Sequence, residues 1–310
     1  MKILLCLIIL ILLMNTVTIL SQIKDNAAVI SSNKFAIDLF KKLEKNKNLF
    51  FSPLSISTAL TIAVNGAQHK TLQSMQNTLK IESNLKFYNI EFKNLLTLLN
   101  KDRKKDSIQL SLANSLWVQH DYKFKKSFIK ISNEYYNSEL NPTNFKLPEE
   151  LEKSRIKINN WIEEKTNDKI KGLIKPDILD TSVRLIITNA IYFKGRWLYQ
   201  FDLGHTNEQT FYSTHKKIES DFMKSTEAYL NYYEDSEIKI LELPYLGEEF
   251  SMIIILPDEK DGINNLESDF VLENYIEWTK NQKQEIVDVS IPKFKLESEF
   301  KLSEILDKWE

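Results

Sequence analysis

The sequence contains little cysteine and little glycine. Cys6 is its single cysteine, and six glycines are spread over 310 residues. Because Cys6 lies in the apolar N-terminal segment, thiol nucleophiles, cysteine metal sites and redox chemistry are excluded for the rest of the chain. The six glycines form neither a phosphate-binding loop nor the dinucleotide motif Gly-x-Gly-x-x-Gly. Nucleotide-dependent enzymes of those two kinds are therefore excluded. Since a single cysteine cannot form a disulfide within the chain, the hydrophobic core alone must stabilise the fold.

Other motifs of catalysis and metal binding are missing as well. The nucleophile elbow Gly-x-Ser-x-Gly and the zinc motif His-Glu-x-x-His do not occur, and the four histidines lack ligand-like spacing. Adjacent acidic residues such as Glu163 and Glu164 lie more often on a solvated face than in an acid and base pair. We therefore predict that the protein is not an enzyme and holds no metal or cofactor. A secreted hydrolase with a scattered triad remains an alternative.

The sequence also lacks an excess of either charge. Its 41 basic and 43 acidic residues give a net charge of −2, so no bulk field attracts nucleic acid, and we predict no nucleic-acid partner. One short segment, NKDRKKD, is locally basic through Lys101, Arg103, Lys104 and Lys105. This cluster is either a site for a sulfated polysaccharide or a solvated helix end, and the interspersed Asp102 and Asp106 favour the helix end.

A long apolar run is present at the N-terminus. Lys2 precedes an unbroken apolar stretch over residues 3–13, which a more polar stretch follows. This layout is typical of a secretory signal peptide. We expect a signal peptide over residues 1–21 and a secreted, extracellular domain over residues 22–310, with no membrane segment after cleavage. The alternative is an uncleaved membrane anchor, because the run extends to Leu20 if its polar residues are tolerated.

The remainder shows no internal repeat and no linker, and 43% apolar with 27% charged residues is ordinary for a globular domain. An amphipathic helix opens it with Phe35 and Leu39 on one face. Ser52 can cap a second helix that has Pro53 in its first turn. Residues 156–174 read as a third helix. Helices come mostly first and strands mostly later.

Strand patterns dominate the second half of the chain. Residues 108–118 alternate apolar and polar side chains, as in a half-buried strand. Residues 184–193 are almost continuously apolar, which indicates cover on both faces of a sheet. Residues 238–245 and 250–256 predict a hairpin around Gly247. The fold class is therefore α+β, with a large sheet and more than one helix packed on it.

Two polar residues fall where burial is expected. Asn189 lies in the middle of an apolar strand, and Ser55 lies near the start of a buried helix. A buried amide or hydroxyl costs roughly 1 to 3 kcal/mol when it is unpaired, so both residues need partners. The pattern indicates either a network that fixes the register between helix and sheet or a hinge where strands must separate.

Eight segments, in order, resemble the serpin family of serine protease inhibitors over most of the chain, from Phe35 to Glu310. The resemblance implies a serpin-like α+β fold with large mixed and antiparallel sheets, three in number, and about eight or nine helices. The segments are NLFFSPLSISTALTIAVNGA, TLQSM, LANSLWV, INNWIEEKTNDKI, LIITNAIYFKGRW, LELPY, FSMIIILP and IPKF.

The resemblance also implies a function. Secreted serpins usually inhibit serine or cysteine proteases, which cut an exposed reactive-centre loop. The cut loop then inserts as a strand while the protease stays attached. By the same resemblance two groups of residues mark where the strands part: the family's "shutter" at Ser52, Ser55 and Asn189, and its "breach" at Lys194, Gly195 and Trp197.

Two positions depart from the family pattern. His69 and Asp168 stand where serpins commonly have glycine. Because the neighbouring Asn167 tolerates the left-handed conformation, we expect it to adopt that conformation in place of Asp168, with a local adjustment only.

The final segment, LSEILDKWE, has an apolar stripe through Leu302, Ile305 and Trp309 without a helix stop signal. The resemblance implies that the rest of this helix, a sheet strand, the reactive-centre loop and two core strands would follow. We therefore expect a C-terminally truncated serpin domain that lacks the reactive-centre bond. The alternatives are a complete, non-inhibitory binding or carrier protein and an inactive truncated product.

Overall fold

A computed structural model describes residues 26–43, 48–101, 107–212, 217–259, 262–296, 298 and 302–306. The predicted signal peptide, residues 1–21, lies outside these residues, so the signal peptide and the membrane anchor both stay predictions. No helix in the described part of the chain is long and apolar enough to cross a membrane.

Helices make up most of the described residues in the first half of the chain, and the α+β class and the predicted number of helices are confirmed. Across the described residues there are nine α-helices: α1 (Ala27–Lys42), α2 (Pro53–Val64), α3 (His69–Thr78), α4 (Leu85–Leu99), α5 (Lys126–Tyr136), α6 (Pro148–Lys165), α7 (Ile263–Asp269), α8 (Leu272–Lys280) and α9 (Leu302–Leu306).

Eight strands form two sheets in the described residues. A mixed sheet has the order β2-β1-β3, with β2 parallel and β3 antiparallel to β1. A second, antiparallel sheet has the order β4-β5-β6-β7, and β8 pairs with β5. The strands are β1 (Ile108–Gln119), β2 (Ser138–Thr143), β3 (Leu185–Gly195), β4 (Asn207–Tyr212), β5 (Lys217–Glu234), β6 (Ile238–Pro244), β7 (Ser251–Pro257) and β8 (Lys283–Pro292).

The described residues contain two sheets in place of the expected three, because β5 is continuous over 18 residues. On β5, residues 217–222 pair with β4, residues 231–234 pair with β6, and β8 pairs along residues 222–232. A bulge between Ser225 and Ala228, where Glu227 has a φ of 54°, shifts the register with β8. This one strand therefore joins what would otherwise be two separate sheets.

The mixed sheet is covered on both faces. Leu116 of β1 lies in a cluster with Phe35, Ile62 and Phe92 from the helices α1, α2 and α4. Trp117, the next residue, points to the opposite face and packs against α6. The sequence of β1 predicts that burial alternates along the whole strand. The alternation holds only near its start, because residues 114–119 are all buried, on both faces of the sheet.

The predicted bounds of α6 are wrong. The helix covers Pro148–Lys165 rather than residues 156–174. Pro148 occupies the first turn, where its fixed φ is favourable and its missing N–H is not needed. At the other end Asn167 and Asp168 have φ values of 49° and 59° and leave the right-handed helix. Asn167 therefore adopts the left-handed conformation as expected, but Asp168 adopts it as well.

His69→Gly and Asp168→Gly are each expected to raise the free energy of unfolding by about 0.5–1 kcal/mol. His69 has a φ of 52°, so both side chains stand in the left-handed region that glycine adopts without strain. The midpoint of urea unfolding measures the change. As a control, Gln73→Gly in the exposed middle of α3 should instead lose about 1 kcal/mol. Lower midpoints for the first two variants would contradict the strain argument.

Candidate functional site

The start of α2 orients the first two predicted site residues. Ser52 caps the helix, and its hydroxyl accepts a hydrogen bond from the Ser55 N–H at 3.2 Å. Pro53 follows the cap in the first turn, as the sequence predicts. This local geometry directs the Ser55 side chain toward the mixed sheet.

The structure brings the three shutter residues together. The Ser55 hydroxyl donates to Asn189 Oδ1, and Asn189 Nδ2 donates to Asn114 Oδ1 at 2.7 Å. Asn114 lies directly opposite Asn189 in the β1–β3 register and is buried. The prediction that Ser55 and Asn189 need polar partners is confirmed, while their role in strand separation stays a prediction.

The network continues into residues that sequence reasoning missed. Asn114 Nδ2 donates to the Tyr136 carbonyl at 2.8 Å, and the Tyr136 hydroxyl donates to Asn89 Oδ1 at 2.5 Å. Asn89 and Asn65 exchange two further hydrogen bonds, of 2.7 and 3.1 Å. We call these residues the buried polar network: Ser55, Asn65, Asn89, Asn114, Tyr136 and Asn189.

Burial controls the chemistry of this network. The Tyr136 side chain has no exposed surface, and burial raises the pKa of its phenol well above the usual range. Tyr136 therefore remains protonated and acts as a hydrogen-bond donor at any physiological pH. Asn114 could have been found from its sequence, because it interrupts the apolar pattern of LANSLWV as Asn189 interrupts the next strand. The contribution of Tyr136 through its backbone carbonyl leaves no sequence signal.

The breach residues lie where β3 meets the second sheet. An ideal Cβ built on Gly195 would approach Cδ1 of Tyr245 to 2.5 Å, so only glycine fits. The Tyr245 ring stacks on Trp197, with centroids 4.4 Å apart, and touches Phe193 edge-on. Burial raises the pKa of Tyr245. Lys194, by contrast, is exposed and pairs with Gln109 in the strand register.

One edge of β3 is open in the described part of the chain. On one side β3 pairs with β1, and no described strand pairs with it on the other. Most of its side chains are half-buried, which suits a strand that has a neighbour on each side. The buried polar network contacts this strand at Asn189, near its middle. The arrangement can accept a further strand and contains no constellation for catalysis among these residues.

The basic cluster is described only at its first residue. Lys101 Nζ lies 2.8 Å from Oε1 of Glu249, so this cation is already paired. Arg103, Lys104 and Lys105 lie outside the described residues. The polysaccharide site and the solvated helix end therefore both stay predictions.

A family model described as Serpin (serine protease inhibitor) matches residues 30–310 of this chain. The chain belongs to the serpin family. An uncharacterized serpin-like protein of Methanosarcina acetivorans is 36% identical over 92% of this chain and 68% of its own length. Leukocyte elastase inhibitor of Xenopus laevis is 37% identical over 86% of this chain and 72% of its own length.

Solved structures agree with this assignment. Emu ovalbumin superposes with a TM-score of 0.84 at 27% identity, over 89% of this serpin and 76% of the emu chain. The serpin-like fold predicted from the eight segments is therefore confirmed.

Proposed function

We propose that this serpin inhibits a serine or cysteine endopeptidase through cleavage of a reactive-centre loop and insertion of that loop as a strand beside β3. The observation that carries the proposal is the buried polar network, which holds the middle of β3 through side-chain hydrogen bonds from Asn189 to Ser55 and Asn114 that can be exchanged. An inserted strand gains main-chain hydrogen bonds along β3, and exchangeable side-chain bonds let the sheet open there. On this proposal the partner is a protease and the serpin itself is not an enzyme.

The two groups of site residues have separate roles in this proposal. Ser52, Ser55 and Asn189 form bonds that hold the closed sheet and exchange when it opens. The end of β3 that meets the second sheet carries Lys194, Gly195 and, just beyond it, Trp197. There Trp197 forms a β-bridge with Tyr245 and stacks on its ring. The similarity to leukocyte elastase inhibitor supports the choice of a protease as the partner.

We also propose that the protein acts outside the cell. The apolar run over residues 3–13 supports export, because a single preceding lysine and a polar continuation match a signal peptide. Sequencing the N-terminus of protein recovered from the medium of expressing cells tests this. A chain that stays cell-associated and begins at residue 1 would contradict it.

Incubation with proteases tests inhibition. The product of the complete transcript, including whatever follows Glu310, is mixed with elastase-like, trypsin-like, chymotrypsin-like and papain-like enzymes. We expect loss of protease activity together with a complex that survives boiling in detergent. The same protease with a chemically blocked nucleophile is the control and should form no such complex. Cleavage of the serpin by every enzyme, with no complex and no lost activity, would overturn the proposal.

The second candidate is a non-inhibitory binding or carrier protein. It is favoured by the similarity to emu ovalbumin, whose name is not that of an inhibitor. This candidate requires residues 22–310 alone to form a soluble monomer with a cooperative thermal transition. We expect aggregation instead, since the open edge of β3 can pair with another chain. Light scattering and calorimetry on that fragment distinguish the two.

A further inference from the structure

A cleft lies between α5 and the start of β2, away from the edge of β3. It consists of two cavities of about 470 and 370 Å³, and Asn133 and Ser138 line both of them. Each volume falls within the range of small-molecule sites in proteins, about 300–1,000 Å³.

The larger cavity has apolar walls. Side chains from β1, α5, β2 and the loop before α5 form them, and these are Leu116, Phe124, Ile129 and Leu140. Leu140 lies on the outer strand of the mixed sheet and is 46% exposed. An apolar side chain that is half open to water at a concave surface gains stability when an apolar ligand covers it.

Two cations lie beside these walls. Lys126 and Lys130 line the same cavity from successive turns of α5, and both are exposed. Neither forms an ion pair with any residue that the structure describes. No acidic residue lines this cavity among the described residues. The local charge is therefore positive, although the chain as a whole is slightly acidic.

A buried hydroxyl marks the junction of the two cavities. Ser138 is 1% exposed, and its Oγ has no hydrogen-bond partner in the described part of the chain. Buried polar atoms without a partner are rare, because their loss of hydration is not compensated. Because Ser138 lines both cavities, a rotation of its side chain would let a polar group on a bound ligand supply the missing partner.

The smaller cavity has no unpaired charge that would attract a charged ligand. Lys165 lines it, but Lys165 Nζ lies 3.2 Å from Oε1 of Glu139, which lines it too. The cation and the carboxylate neutralise one another, so the unpaired positive charge lies at the larger cavity.

We propose that the larger cavity binds a small amphipathic carboxylate. The apolar body of the ligand packs on the four walls, its carboxylate faces the two lysines, and Ser138 pairs with a polar atom of the ligand. This site is independent of protease inhibition, because it lies on the β2 side of the mixed sheet and the proposed insertion lies on the β3 side.

Calorimetric titration of the purified protein with dodecanoate, below its micelle concentration, tests the site. We expect saturable binding of one dodecanoate per chain, and binding of dodecyltrimethylammonium that is about tenfold weaker, since its charge is repelled by the lysines. The same apolar chain is present in both probes. No binding of dodecanoate, or equal binding of the two probes, would overturn the proposal.

Charge reversal at the lysines locates the site. The double substitution K126E/K130E should raise the Kd for dodecanoate about tenfold. The matched control K70E/K86E makes the same change of charge at exposed lysines that do not line the cleft, and it should leave the Kd unchanged. An equal effect of both pairs would overturn the site, because it would show a response to net charge alone.

A pair of uncharged substitutions checks the apolar walls. Leu140→Gln should weaken dodecanoate binding several-fold, because the ligand would no longer bury the apolar surface of Leu140. Leu147→Gln is the control, since Leu147 is 48% exposed and does not line the cleft. If Leu140→Gln weakens binding but the lysine substitutions do not, the ligand is apolar rather than anionic and the proposal is wrong.

Discussion

Gly195→Ala is expected to lower the free energy of unfolding by about 2–3 kcal/mol, which is large for the addition of one methyl group. The new Cβ would lie 2.5 Å from Cδ1 of Tyr245, closer than two carbon atoms approach without a shift. The Tyr245 ring has little freedom to shift, because Trp197 stacks on one of its faces and Phe193 packs against it. The added methyl group therefore displaces β3 from the second sheet.

Thermal and urea unfolding followed by tryptophan fluorescence measure this change, and Trp197 reports on the site itself. Gly204→Ala is the matched control, because an added Cβ there meets Asp202 Oδ1 at an acceptable 3.4 Å. We expect the control to change stability by less than about 0.5 kcal/mol. If Gly195→Ala is equally mild, the ring must move easily. In that case the close packing at the end of β3 does not constrain this position.

Asn114→Ala is expected to cost about 3 kcal/mol of unfolding free energy. Its side chain bridges two polar groups: it accepts from Nδ2 of the half-buried Asn189 at 2.7 Å and donates to the carbonyl of the buried Tyr136 at 2.8 Å. Alanine leaves both groups unpaired, and neither regains full hydration, because Tyr136 is fully buried and Asn189 is half-buried. The loss therefore exceeds that of a hydrogen bond at the surface.

Asn94→Ala provides the control, since Asn94 is exposed on α4 and makes one weak contact, 3.5 Å to Glu91. It should be neutral or slightly stabilising, because alanine favours a helix. Hydrogen exchange separates the two interpretations of the network. Faster exchange confined to β3 in the Asn114 variant would support a hinge, whereas faster exchange throughout the mixed sheet would support a role in fixing register. A variant as stable as the unmodified protein would contradict both.

Much of this site is predictable from the sequence, because its first members disturb a pattern. Asn189 and Ser55 stand out as polar residues in apolar segments, and each then requires a partner. The identity of the partner depends on which strands are neighbours, which no local pattern encodes. Asn65 and Asn89 lie in separate helices, and their exchange of hydrogen bonds depends on the way those helices pack.

The bounds of α6 show a different kind of failure. The apolar periodicity near Trp161 extends in both directions, and the interpretation over residues 156–174 followed that period. The actual ends are set by single residues, with Pro148 at the start and two left-handed residues after Lys165. Backbone conformation at such positions overrides hydrophobic pattern, so the helix lies several residues earlier in the chain than its apolar period predicts.

The ligand cleft could not have been predicted at all. The two cations of its larger cavity, Lys126 and Lys130, lie four residues apart on the exposed face of α5, where they read as ordinary solvated lysines. Ser138 reads as an ordinary strand residue beside a turn. The concave surface that joins them arises from tertiary packing of α5 against the mixed sheet.

The buried polar network also has a consequence for the speed of folding. Asn114 and Asn189 are 75 residues apart in the chain, and Ser55 and Asn189 are 134 apart. The whole of α5, β2 and α6 lies between the first two partners. To form such pairs, the chain must first lose the entropy of a long loop, and the stabilising contacts form only afterwards. This order slows folding. Until the two strands pair, β1 and β3 expose apolar segments that can aggregate with other chains. The yield of refolding should therefore fall as the protein concentration rises.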